Sequence, residues 1–89
     1  MKLVIPVFGK DRIGIIARVT RILSDNDVNI LSINQNILDG FFNMILLAEM
    51  PDNELRLKEL QGIFAAEAKN LNLDIKVQNQ DIFNVMHSI

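Results

Sequence analysis

The dipeptide Asp39-Gly40 separates two long apolar-rich runs, residues 28–38 and 41–50. Asp-Gly between two such runs is a strong two-residue hairpin signal, because both turn positions need backbone angles that Asp and Gly tolerate. The turn sets the register, with Leu38 opposite Phe41 and Ile37 opposite Phe42. One face of the hairpin then carries Leu31, Ile33, Ile37, Phe42, Met44, Leu46 and Ala48, interrupted by Gln35. That face is expected to be core, awaiting helices. The other carries Ser32, Asn34, Asn36 and Asn43, with Ile30, Leu38, Phe41, Ile45 and Leu47 among them. A half-apolar outer face is poorly suited to full solvation, so a partner or the chain's tail is expected to cover part of it. An isolated hairpin is marginal in water. The rest of the chain must supply what it packs against.

Upstream, Leu3 to Phe8 is apolar on both faces, as in a strand buried in mid-sheet. Pro6 cannot donate to a ladder, so a missing bond or a bulge is expected there. The six residues Gly9-Lys10-Asp11-Arg12-Ile13-Gly14 then turn the chain into a helix marked by Ile15, Val19, Ile22 and Leu23. Arg12, Arg18, Arg21 and Asp25 take its other, solvated face, and Ser24-Asp25-Asn26-Asp27 should end it through a left-handed Asn or Asp. Downstream, Pro51-Asp52-Asn53-Glu54 opens a second helix with Asp or Asn as cap. Its buried stripe is expected at Leu57, Leu60, Ile63, Phe64, Ala68 and Leu71, with Gly62 allowing close packing and Asn72 as the stop. Leu73, Ile75 and Val77 alternate with Asp74, Lys76 and Gln78 as a strand with one wet face. In the tail, 81–89, Ile82, Val85, Met86 and Ile89 are spaced as a short amphipathic helical turn or two. Nine residues are too few for a helix to stand alone.

The order strand, helix, strand, strand, helix, strand defines an α+β fold. It is the ferredoxin-like βαββαβ sandwich, a four-stranded antiparallel sheet with two helices on one face, here followed by a short C-terminal helical tail. Residues 1–80 make one domain, and 89 residues leave no room for a second core.

Composition removes several functions. A net charge of −2 argues against binding nucleic acid through its phosphates. With no cysteine, neither disulfides nor thiolate metal sites are available. The one histidine, His87, reads as a solvated side chain of the tail, and no metal or other cofactor is expected. No apolar run reaches the length of a membrane span. Met1 to Ile5 opens like a signal peptide, but Pro6 and the charges from Lys10 to Arg12 cut it short, so a cytoplasmic domain is expected.

The segment from Gly9 to Gly14 is where a ligand would sit. Its two glycines allow close approach to the backbone. Asp11 is expected to cap the helix, and the remaining free amides at the helix start favour an anionic group such as a carboxylate. The same residues also suffice as a plain connector.

Taken together, Gly9-Lys10-Asp11-Arg12-Ile13-Gly14-Ile15, Leu23, Val28-Asn29-Ile30 and Asp39-Gly40-Phe41-Phe42-Asn43-Met44 resemble an ACT domain over roughly residues 2–79. In that family a Gly-x-Asp-Arg-Pro-Gly loop joins the first strand to the first helix, and an Asn-Ile pair opens the second strand. The ending, Gln80 to His87, is similar to that of short stand-alone bacterial and archaeal ACT proteins of unassigned role. Two positions depart from the pattern: Ile13 replaces the usual proline, and Asp27 stands where glycine often precedes Val-Asn-Ile. The resemblance implies a regulatory module that binds a small molecule, often an amino acid, between two copies of the chain. Gly9, Lys10, Asp11, Arg12, Ile13 and Gly14 would hold the ligand through loop amides, with Asn29 and Ile30 at the start of the second strand. Expected partners are a second copy of the chain, a small-molecule effector and a regulated protein.

Two alternatives stand beside the sensor. One is a structural dimerisation module with no ligand. The more distant one is an acylphosphatase-like hydrolase, with Arg12 and Asn34, Asn36 or Asn43 in the phosphate-binding roles. That enzyme's loop glycines and valine-glutamine-glycine run are missing, and Ser32 and Thr20 have no base nearby in sequence. Ile15-Ile16 stands where a phosphate loop needs Lys-Ser/Thr. An RNA-binding sheet would display stacking aromatics on central strands, but this chain has no Tyr or Trp and its Phe41 falls at the hairpin tip. A ferredoxin-like metal carrier would need a cysteine pair where Lys10 and Arg12 stand. The expectation is a non-enzyme.

Overall fold

The computed structural model describes residues 1–81. In chain order these form β1 (Lys2–Lys10), α1 (Ile15–Asp25), β2 (Asn29–Leu38), β3 (Phe41–Glu49), α2 (Glu54–Leu71), β4 (Leu73–Ile75) and β5 (Gln78–Asn79). β1 is the axis of the sheet. It pairs antiparallel with β3 from Lys2 opposite Glu49 to Lys10 opposite Phe41. Its other side carries β4 and β5, and β2 pairs with β3 to form the rim, in the order β2-β3-β1-β4. This is the ferredoxin-like sandwich.

The fourth strand arrives in two pieces because of Pro6. The Lys76 amide donates to the Pro6 carbonyl at 3.2 Å, and the return bond cannot form because proline has no N–H. Pairing holds from Gly9–Leu73 to Val7–Ile75 and resumes at Val4–Gln78. The missing bond expected at Pro6 thus splits the expected single strand into β4 and β5.

The core lies between sheet and helices. Leu3, Ile5 and Val7 of β1 meet Phe42, Met44, Leu46 and Ala48 of β3, roofed by Ile15, Val19 and Leu23 of α1 and by Leu57, Leu60 and Phe64 of α2. Asn53 caps α2, its side chain accepting from the Arg56 amide at 3.1 Å. Asn72 ends that helix in the left-handed region at φ 54°, and Asp27 does the same after α1 at φ 58°. The helices are tied by an Arg18–Glu67 ion pair at 2.5 Å and by the Arg56 guanidinium donating to the Asn26 carbonyl at 2.7 Å.

The hairpin turn is as expected, with Asp39 and Gly40 both at positive φ and Leu38 opposite Phe41. Its core face is not. The β3 half is buried, but on β2 Leu31, Ile33 and Ile37 remain 46%, 39% and 56% exposed. The helices roof β1 and β3 and leave the rim strand overhanging. A bulge at Leu31, between Ile30 and Ser32, also shifts the register. The extra residue moves Ile30 from the expected outer face to a position opposite Ala48, where it packs against the core. On α2, Ile63 falls outside the buried stripe, and a Cβ on Gly62 would meet nothing within 4 Å among the described residues, so that glycine serves no close packing there. The expected amphipathic tail and His87 lie outside the described residues.

Gly62 therefore carries the entropic cost of a helical glycine with no packing gain. Gly62→Ala should stabilise the protein by about 0.5–1 kcal/mol, read as a higher midpoint in urea at unchanged slope. A lower midpoint would mean that the α2 surface at this position is occupied.

Candidate functional site

Gly9 and Lys10 belong to β1 rather than to the turn. Gly9 lies opposite both Phe42 and Leu73. A Cβ there would stand 2.5 Å from Leu73 Cδ2 and 3.3 Å from Leu73 Cα. Glycine is needed here for the close approach of β4, not for a bend. The turn itself is only Asp11 to Gly14.

Asp11 anchors that turn through its backbone, its amide donating to the Gly40 carbonyl at 2.8 Å. The β1–α1 loop is thereby pinned to the hairpin tip. The expected cap does not form: Gly14, at φ 90°, occupies the N-cap position of α1, with no side-chain bond and no acidic residue in the first turn. The first amides of α1 thus have no capping side chain, which leaves the partial positive charge of the helix start unneutralised. Arg12 reaches the other way, its guanidinium donating to the Leu71 carbonyl at 3.4 Å. Ile13 is fully exposed.

Two hollows flank the loop. One, of about 390 Å³, lies between Lys10, Asp11 and Arg12 and the end of α2 at Leu71 and Asn72. Its far wall is a helix C-terminus, where carbonyls favour cations, and Arg12 already uses it. The other, of about 270 Å³, lies between the loop with the start of α1 and a wall of Gln35, Ile37 and Phe42. Of these two, the second pairs a helix start with an apolar floor, the arrangement that suits a small molecule bearing a carboxylate.

Asn29 and Ile30 are elsewhere. Asn29 pairs with Glu49, whereas Gly9 pairs with Phe42. Seven residue steps of β3 separate these positions, roughly 24 Å at the rise of a strand. Gly9 to Gly14 come together at one end of the sheet and Asn29 with Ile30 at the other, so one chain does not assemble the whole expected set. Gln35, Ile37 and Phe42 were not among the expected site residues. The hairpin register already set Ile37 opposite Phe42, but the pairing of Gly9 with Phe42 that carries them to the loop is long-range.

Comparison with known proteins agrees with this architecture. A family model described as an ACT domain matches residues 1–78. A UPF0237 protein of Neisseria meningitidis serogroup B is 46% identical over 86 residues, covering 97% of this chain and 96% of the relative. One of Clostridium perfringens is 47% identical over 89 residues and covers all of both chains. Among solved structures, an ACT domain protein from Streptococcus pneumoniae superposes with a TM-score of 0.82 at 34% identity, over 93% of each chain.

The loop geometry sets two substitutions apart. Gly9→Ala should destabilise by about 1–3 kcal/mol, the usual cost of overpacking, because Leu73 and the β4 backbone must move. Asp11→Ala should stay within about 0.5 kcal/mol of the parent, since its side chain caps nothing. Urea unfolding of both measures the contrast. An Asp11→Ala loss near that of a true cap would contradict the Gly14 geometry.

Proposed function

From the premise that this chain belongs to the ACT domain family of ligand-binding regulatory modules, we propose that it is a cytoplasmic amino-acid sensor acting as a homodimer. Two β2 rims pair antiparallel across a two-fold axis, and each ligand lies between the Gly9–Gly14 segment of one protomer and Asn29 of its partner.

The separation of the two halves of the site carries this proposal. Antiparallel pairing of β2 with its twin sets the start of one strand beside the end of the other. The Asn29 end of one protomer then approaches the loop and hairpin tip of its partner, and the roughly 24 Å gap within one chain ceases to matter. The rim suits such pairing. From Val28 to Leu38 it holds neither a charged residue nor a proline, and Leu31 to Leu38 are all exposed. Natural sheets protect a free edge with Lys, Pro or a covering element; among the described residues one bulge at Leu31 is the only such device along the strand. The role is binding rather than catalysis, and a protein whose activity follows the ligand is the further partner.

Sedimentation at micromolar concentration should give a species of twice the 10.1 kDa chain mass. The double substitution Asn34→Lys and Asn36→Lys should shift it to monomer without unfolding it, because both side chains are exposed and like charges would meet across the axis. A monomeric parent protein would remove the composite site.

A free amino acid should raise the melting temperature. At 100 times its dissociation constant the added stability is about 2.7 kcal/mol, or roughly 10–20 °C for a domain of this size. Asn29→Ala should weaken binding by about 1–3 kcal/mol while the dimer persists. If Asn29 only ties off the strand start, the substitution lowers stability with and without ligand alike and the ligand-induced shift survives; that result would take Asn29 out of the site.

A further inference from the structure

We propose that residues 82–89 dock on the outer face of their own sheet, over Val4 and Leu47, as a strap laid across β1 and β3. The burial of Val4 carries the proposal. Leu3, Ile5 and Val7 of β1 enter the core, so Val4 points to the opposite face, away from both helices. Its cross-strand neighbours there are Leu47 on one side and Gln78 on the other. Val4 is nevertheless only 4% exposed, and among the described residues it alone is buried without belonging to the core cluster. Further along the same face Phe8, Phe41 and Ile45 are 49%, 48% and 49% exposed. The outer face is thus closed at the Val4 end and open at the Phe8 end.

The cover belongs to the same chain, because Val4 is buried within a single protomer. Both helices pack on the other face, which leaves residues 82–89 to supply it. They start from the right place. β5 pairs Gln78 with Val4 and ends at Asn79. The Asp81 amide then donates to the Asn79 side-chain oxygen at 2.9 Å, a local turn that takes the chain out of the strand. They are also long enough. From β5 across β1 to β3 is two strand spacings, roughly 10 Å, and eight residues span about 12 Å even when wound wholly into a helix. The chemistry matches as well. Ile82, Val85, Met86 and Ile89 fall three or four positions apart, a pattern that gathers apolar side chains on one side of a helix. The patch they would meet, Val4, Pro6 and Leu47, carries no charge.

The chain has no cysteine, so Ser88→Cys supplies a single site for a nitroxide label on the full-length protein. The label should broaden the methyl signals of Val4, Ile45 and Leu47 more than those of Ile16 on α1 and Ile63 on α2, with the reduced nitroxide as reference. Broadening that falls instead on the helices or on Ile33 and Ile37 overturns the strap. So does the absence of broadening, the result expected if the Lys2 and Gln78 side chains alone shield Val4. Co-refolding labelled chains with isotope-enriched, unlabelled ones tests whose segment provides the cover. The outer-face broadening should vanish in that mixture; if it is retained, the cover comes from a second copy and the strap within one chain is overturned. Adding Val85→Asp and Met86→Asp to the labelled protein should remove the broadening while the helix amide signals stay in place. Broadening that survives this pair would mean that apolar contact does not hold the segment, which also overturns the proposal.

Discussion

The structure depends on the double pairing of β1. Leu3, Ile5 and Val7 are almost wholly removed from water between the sheet and two helices, and both backbone edges of the strand are engaged. Burying those side chains stabilises the fold only if the polar backbone beside them finds partners, since an unpaired buried amide or carbonyl costs about as much as a large apolar side chain gains. Pro6 relieves the chain of one donor in the middle of that strand, on the side facing Lys76. The ladder toward β3 stays whole, and the gap is confined to the weaker side. With β1 at the centre and β3 beside it, β2 is left at the rim, and among the described residues nothing roofs the apolar side chains on its helix-facing side.

What could be read from the sequence follows the range of the interactions. The hairpin, its register from Leu38–Phe41 to Ser32–Leu47, the caps at Asn53 and Asn72, and the left-handed Asp27 all rest on contacts a few residues apart. These were legible. The exposure of Ile33 and Ile37 was not, because periodicity shows that a strand has an apolar face but not whether a helix lies over it. The bulge at Leu31 has no composition mark of its own. Gly9 was legible as a necessary glycine but misread in cause. Its neighbour in the sequence is a turn, whereas the atom that excludes a side chain belongs to Leu73, sixty-four positions later. Asp11 shows the reverse error: the right residue type for a cap, in a loop where Gly14 takes the position instead.

The loop between β1 and α1 gathers several constraints into four residues. Its Asp11 amide is held by the hairpin tip, its Arg12 guanidinium by the end of α2, and its Gly14 by the start of α1. A segment fastened at three places to three elements loses its freedom during folding rather than on binding. A small molecule that bound there would cost little further ordering.

The strand order also bears on how the chain reaches this state. Pairing β2 with β3 closes a loop of two residues, whereas pairing β1 with β4 joins Val7 to Ile75 across most of the chain. Loop-closure entropy makes the hairpin the cheap event and the central ladder the late one, the pattern of slower, high-contact-order folding. During that interval the hairpin stands with two open edges, and the outer edge of β2 carries no charge to repel a neighbour. During synthesis, therefore, a strand suited to meeting its own twin is exposed to any extended chain nearby. An edge that would suit a specific assembly in the finished protein is a hazard of misassociation in the newborn one.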